Sequence, residues 1–184
     1  VLDSPILTNS QFNKFKKFFS KKIKVIDCTF DISSSLKDRI EAIREETETA
    51  VREGSTTLIL SDKNISNQKA SIPSILTVGA VHSHLVKQGL RGYCSLNVEC
   101  SDALDTHSFA VLIGVGATTV NPYLAIDSIY QRFEKKLFGK ADFESCVVKF
   151  KQSIDAGLLK IMSKMGISVL SSYRGGCNFE TVGL

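Results

Sequence analysis

Five short runs that read as strands, separated by longer stretches with helical periodicity, constrain the fold more than any other feature of this chain. The first, Ile23 to Cys28, leads through the cap candidates Ser33 to Ser35 into a charged helix. Its apolar face carries Leu36, Ile40, Ile43 and Val51, and Gly54 stops it. Thr56 to Leu60 repeats the pattern, ending in Ser61-Asp62. A polar loop then runs to Pro73, before a helix from Ile75 to Lys87 that stops near Gly89. Tyr93 to Val98 is the third strand, with a helix from Asp105 to Ile113 behind it, and Ala117 to Val120 is the fourth. Helices follow over Leu124 to Phe138 and Asp142 to Met165, and after Gly166 a fifth strand is expected over Ile167 to Leu170. An amphipathic helix over Asn9 to Ser20, with Phe12, Phe15, Phe18 and Phe19 at helical spacing, precedes the series.

Strands and helices alternating in this order form parallel βαβ units with right-handed crossovers. The expected class is therefore α/β, a mostly parallel sheet of repeated βα units; a doubly wound sheet and a partial TIM-barrel-like domain both satisfy the pattern. In either, chemistry gathers beyond the carboxyl ends of the strands. That places candidates at Asp27, Ser61, Asp62, Glu99, Asn121, Ser171 and Ser172. With 184 residues the chain reads as one domain over 1–184. Its mass predicts about 8,700 Å² of accessible surface when folded against roughly 29,000 Å² unfolded, enough burial for a core without staples. Apolar residues at 43% and charged residues at 23% fit a globular domain and exclude disorder, and no run approaches the length of a membrane span.

Local motifs point away from a self-contained reaction centre. Gly114-Val115-Gly116 follows an apolar run, but Thr119 stands where a dinucleotide fingerprint needs Gly or Ala, and Val120-Asn121-Pro122 cannot begin a helix there. The motif reads as a helix end. His82 and His84 are two apart on one helix and face different sides, and His107 opens the next, so the three histidines read as structural. No Gly-x-Ser-x-Gly elbow is present. The five cysteines (Cys28, Cys94, Cys100, Cys146 and Cys177) are odd in number and widely spaced, which favours reduced thiols without metal. Cys177 sits in the glycine-rich turn Arg174 to Asn178, read as a small residue in a tight turn. The same turn, Tyr173 to Cys177, is the one place where backbone N–H groups could hold a phosphate or flavin phosphate in an independent binding domain. Six lysines from Lys14 to Lys24 alternate with phenylalanines. They read as a solvated basic face over a core-facing stripe, with a nucleic-acid-binding module as the other reading. The opening Val1-Leu2-Asp3-Ser4-Pro5 has no signal-peptide character and no initiator Met, so the chain is expected to be a piece of a longer polypeptide.

Several segments together carry a resemblance. These are Ser4-Pro5-Ile6-Leu7, Leu58 to Asp62, Ile72-Pro73-Ser74 with Val78 to His82, His107 to Gly114, Asn121 to Ala125 and Gly157 to Ser168. The sequence resembles, from end to end, the central domain of the glutamate synthase large chain. Ser83, where the family usually has His, and Gly176-Cys177, where it usually has Ala-Gln, are small departures. The resemblance implies a parent that forms L-glutamate from glutamine and 2-oxoglutarate. An upstream amidotransferase domain releases ammonia, and a downstream FMN-binding barrel with an iron–sulfur cluster reduces the imine with electrons from a partner chain or ferredoxin. The parent is expected in the cytoplasm, or in a plastid for a photosynthetic eukaryote. The family's terminal catalytic Cys, its Gly-rich substrate loop and its cluster cysteines have no counterpart in this sequence. Hence no catalytic, cofactor-binding or metal residue is expected here, nor any membrane or nucleic-acid partner; the segment is expected to be the scaffold between its neighbouring domains.

Overall fold

The computed structural model describes residues 2–180. Strands β1 (Ile23–Asp27), β3 (Thr57–Ser61), β5 (Ser95–Glu99) and β6 (Thr119–Asn121) form one sheet, every neighbouring pair parallel, in the order β1-β3-β5-β6. Each new strand is added at the same edge, with no reversal of order. A doubly wound sheet reverses at its switch point, so the sequential order places this domain with the partial barrels. Two three-residue strands, β2 (Thr29–Asp31) and β4 (Lys69–Ser71), pair antiparallel beyond the carboxyl ends of β1 and β3, inside what the sequence reads as turn and polar loop.

Alternation along the strands divides the two faces of the sheet. Ile26, Leu58, Leu60, Leu96, Val98 and Val120 point into the main core, beneath α2 (Leu36–Arg52), α3 (Ser74–Lys87), α4 (Thr106–Gly114) and α6 (Phe143–Lys164). Adjacent helices pack on one another, α2 on α3, α3 on α4 and α4 on α6. Their starts follow ordinary capping chemistry: Ser35, Asp105 and Asp142 each accept a hydrogen bond from the backbone N–H three residues on. The opposite, concave face carries Ile59, and there α1 (Asn9–Phe18) lays buried Phe12 with Leu7 in a second, smaller core. A capping box between Thr8 and Gln11 fixes the entry of α1. Helix α5 (Tyr123–Glu134) ends earlier than the sequence suggests, because the chain turns through Lys136 and Gly139 at positive φ.

The fifth expected strand does not form. After α6 the amide of Ile167 bonds back to the Met162 carbonyl, and Leu170 begins the short helix α7 (Leu170–Tyr173). The outer edge of β6 is already occupied: Val120 donates to the Pro5 carbonyl at 2.8 Å and Leu7 to the Val120 carbonyl at 2.9 Å, with Ile6 bridging parallel to Val120. A run of suitable residues at Ile167 to Leu170 finds no free edge to pair with. The folded chain exposes 10716 Å², about 2,000 Å² more than expected for a folded monomer of this mass.

Candidate functional site

Neighbouring strands align Asp27, Ser61, Glu99 and Asn121 in one row at their carboxyl ends, with Asp62 just beyond. These are five of the seven rim positions expected from the sequence. Ser171 and Ser172 are not among them, since without a fifth strand they lie exposed on α7.

Glu99 is the centre of the row. One carboxylate oxygen, Oε1, accepts from Lys16 Nζ of α1 at 2.7 Å and from Lys63 Nζ at 3.0 Å, while Oε2 accepts from Ser61 Oγ at 2.8 Å. Burial works to raise its pKa, but the bonds from Lys16, Lys63 and Ser61 prevail and hold the carboxyl below the usual range. Asn121 donates to the Leu7 carbonyl at 2.9 Å and to Asn9 Oδ1 at 3.0 Å, tying the rim to the start of α1. One row deeper, buried Asn97 receives Thr119 Oγ1 at 2.8 Å and donates to the Leu58 carbonyl at 3.1 Å. At the rim's outer end Asp27 accepts from Thr29 and Asn64, and its pKa also lies below the usual value despite burial. Asp62 Oδ2 accepts from the Ser101 amide and hydroxyl at 2.9 and 2.6 Å. Its Oδ1 is buried and makes no hydrogen bond of good geometry, although the Tyr123 hydroxyl lies against the same carboxylate, and Asp62 borders a void of about 10 Å³. The rim residues are thus bonded to one another and to α1, and the serine hydroxyls beside Glu99 and Asp62 are engaged in those bonds. Chemically, the row fastens a helix onto the mouth of a half-barrel.

At the amino ends of the strands, His82 lies between Gly116 and Gly175, so close that a Cβ on either glycine would stand 2.4 or 2.9 Å from its ring. Arg91 donates to His82 Nδ1 at 3.1 Å, to the Cys94 carbonyl at 2.6 Å and to the Gly116 carbonyl at 2.9 Å. Burial first, then Arg91 and Arg174, push the His82 pKa down. The Gly114-Val115-Gly116 motif is the helix end that its sequence suggests: α4 stops at Gly114 and Gly116 turns at φ +128°. In the Arg174 to Asn178 turn, the Gly175 and Gly176 amides bond to the Gly114 and Tyr173 carbonyls, leaving few donors for a phosphate. His84 lies on another side of α3, 2.6 Å from Glu48, away from His82 as the spacing requires. Cys28, Cys94 and Cys100 are buried, Cys146 is half-buried and Cys177 exposed, and no two are joined. Burial pushes the Cys28 thiol up to about 12 and raises Cys94 and Cys100 as well.

The four phenylalanines of the first helix part company. Phe12 is buried, whereas Phe18 is 82% exposed and stands edge-on to Phe19, which packs on Phe15. The stripe expected to face the core does so fully at Phe12 and partly at Phe15, which packs against the smaller core, while Phe18 at the carboxyl end of α1 is left outside it.

The family model of the glutamate synthase central domain matches residues 1–184. The chain belongs to the glutamate synthase central domain family. It is 51% identical over 186 residues to the glutamate synthase (NADPH) large chain of Azospirillum brasilense, and 41% identical over 189 residues to that of Bacillus subtilis. To the ferredoxin-dependent glutamate synthase of Pyropia yezoensis it is 38% identical over 196 residues. Each alignment takes in the whole of this chain but only 12 to 13% of the relative. Among solved structures, DHODH of Eimeria tenella in complex with ferulenol superposes with a TM-score of 0.56 at 14% identity, over 86% of this chain and 38% of that one. A flavocytochrome b2 mutant with pyruvate bound gives 0.54 at 14% identity, over 97% of this chain and 56% of that one. Both are TIM-barrel enzymes, so this glutamate synthase central domain has the fold of part of such a barrel.

The residues of this central domain do not fit the groups that the family implies for its parent. Where a barrel mouth would admit a flavin, Phe12 lies in one core with Ile59 and Lys16 is bonded to Glu99. An iron–sulfur cluster needs converging thiolates. Three of the five thiols are buried with raised pKa, and among the described residues no group of three His, Cys, Asp or Glu side chains converges.

Proposed function

We propose that residues 1–184 are a single connecting domain of a glutamate synthase, and that it holds an amidotransferase domain and an FMN-binding domain of the same polypeptide in position without a catalytic residue of its own. The parent, on this reading, forms L-glutamate from glutamine and 2-oxoglutarate, with FMN and an iron–sulfur cluster carried elsewhere in the chain. A donor chain or ferredoxin supplies the electrons, and the parent works in the cytoplasm or a plastid. The observation that supports the scaffold reading best is the closed carboxyl rim, where Lys16 and Lys63 on Glu99, together with Asn121 on Leu7 and Asn9, turn the usual reaction face of a barrel into a helix-binding face. Membership of the central domain family gives that rim its context. No helix among the described residues is long and apolar enough to cross a membrane.

The test uses the full-length parent. Ser61→Ala, Asp62→Asn and Cys177→Ala, made singly, are expected to leave glutamate formation per folded enzyme within about twofold. Removing a true general acid, base or nucleophile costs about 100-fold or more. A loss of that size in any of the three, with unchanged thermal stability, would overturn the scaffold reading.

A further inference from the structure

The carboxyl end of α1 carries Phe18, the most exposed large apolar side chain among the described residues. Phe15, Phe18 and Phe19 form a ring cluster with centroids 4.8 and 4.9 Å apart, and Phe18 projects almost wholly into solvent. Beside it, a groove of about 590 Å³ runs between α1 and the Leu2–Ser4 segment, with Lys14 and Lys151 on its border. Of the six lysines from Lys14 to Lys24, Lys16 is held by Glu99 and Lys24 by Glu46. Lys14, Lys17, Lys21 and Lys22 have no acidic side chain within 4 Å among the described residues, and Lys151 bonds only to Gln11. Asp3 is the one acidic group among the described residues that line the groove. Lys14 and Lys151 line the groove beside the rings, and Lys17, Lys21 and Lys22 lie on the same helix and the turn after it; an exposed aromatic cluster with cations beside it is the arrangement that protein interfaces use.

We propose that this face seats an acidic segment of the parent polypeptide lying outside these 184 residues, a Glu- and Asp-rich stretch that places an aliphatic or aromatic side chain against Phe18. The proposal rests on the reading of the chain as one domain of a longer glutamate synthase. That reading supplies the partner's source, because the chain is only 12% of the length of its Azospirillum relative, and a tethered segment acts at a high effective concentration. Charge complementarity supplies its sign. The groove's concavity favours a side chain over a bilayer, and α1 already commits Phe12 and Lys16 to its own sheet, so it lacks the broad free apolar face of a membrane-surface helix. A polynucleotide is disfavoured by a net charge of only +4 over the whole chain.

The full-length large chain, treated with a zero-length carbodiimide that joins lysine amines to carboxylates, is digested and its cross-linked peptides sequenced by mass spectrometry. Amide links from Lys14, Lys17, Lys21 or Lys22 to Asp or Glu residues outside 1–184 are expected. Their loss in Phe18→Asp and in Lys17→Glu/Lys21→Glu is expected too, with the thermal midpoint of the domain itself unchanged, since these side chains are exposed. Two results would overturn the proposal: links confined to residues within 1–184, or an absence of links accompanied by salt-sensitive co-sedimentation with phosphatidylserine vesicles or retention of RNA. Glutamate formation measured on the same preparation separates the two readings. Activity without cross-links sinks the docking surface and leaves the scaffold assignment standing, whereas an inactive, correctly folded parent sinks the assignment itself.

Discussion

Replacing Glu99 by Gln removes the charge that fastens α1 across the half-barrel while keeping the shape of the side chain. In the native state this carboxylate, with 4% side-chain exposure, receives two lysine bonds at 2.7 and 3.0 Å and one serine bond at 2.8 Å. Hydrogen bonds to a charged group contribute about 1.5–3 kcal/mol each, but desolvating the carboxylate offsets much of that sum. The lysines left behind are 31% and 48% exposed and regain water, so the net loss settles near 2 kcal/mol. For a chain of this size that lowers the thermal midpoint by about 4–8 °C. The pH dependence is the sharper signature. Because the folded pKa of Glu99 lies below its unfolded value, its contribution is complete above about pH 4.3 and disappears as the pH falls through the folded pKa. Urea unfolding followed by circular dichroism at pH 7 and pH 3 should therefore show a wild-type advantage at the higher pH that shrinks at the lower. An advantage of equal size at both, or none at either, would refute the role assigned to Glu99.

Gly116→Ala is expected to destabilise the domain by more than about 2 kcal/mol, seen as an early thermal transition, because the residue turns at φ +128° and its Cβ would meet the His82 ring at 2.4 Å. Thiol labelling of the native chain should modify Cys177 first and Cys146 more slowly, with Cys28, Cys94 and Cys100 reacting only in denaturant; fast labelling of a third thiol would contradict the burial described. An experimental structure at high resolution should place one ordered water within hydrogen-bond reach of Asp62 Oδ1, the buried oxygen that makes no hydrogen bond of good geometry, and a direct bond from Tyr123 there would instead account for it without solvent.

The legible parts of this fold were those written in local patterns. The four parallel strands sit where short strand-like runs follow glycine-stopped helices or the lysine-rich end of α1, and Ser35, Asp105 and Asp142 cap the helices they precede. Ile167 to Leu170 carries the same local signal without forming a strand, because strand formation depends on an unoccupied edge and Pro5–Leu7 holds the one beside β6. Strands β2 and β4, three residues each, are too short for any period to register. Five rim positions followed from strand ends alone. What they bond to did not, since Lys16 and Asn9 reach the rim from a helix 83 and 112 residues away in sequence. The exposure of Phe18 was hidden for the same reason: helical spacing groups side chains on a stripe but does not say how much of the stripe a partner covers.

A fluorescence titration of the 184-residue chain with FMN is the sharpest check on a scaffold without a cofactor site, because α1 packs Phe12 on Ile59 and bonds Lys16 to Glu99 across the barrel mouth. No saturable quenching is expected at micromolar concentrations, and no glutamate from ammonia, 2-oxoglutarate and a chemical reductant. Saturable one-to-one binding with Kd below about 10 μM, near −7 kcal/mol, requires a formed pocket and would contradict the scaffold reading.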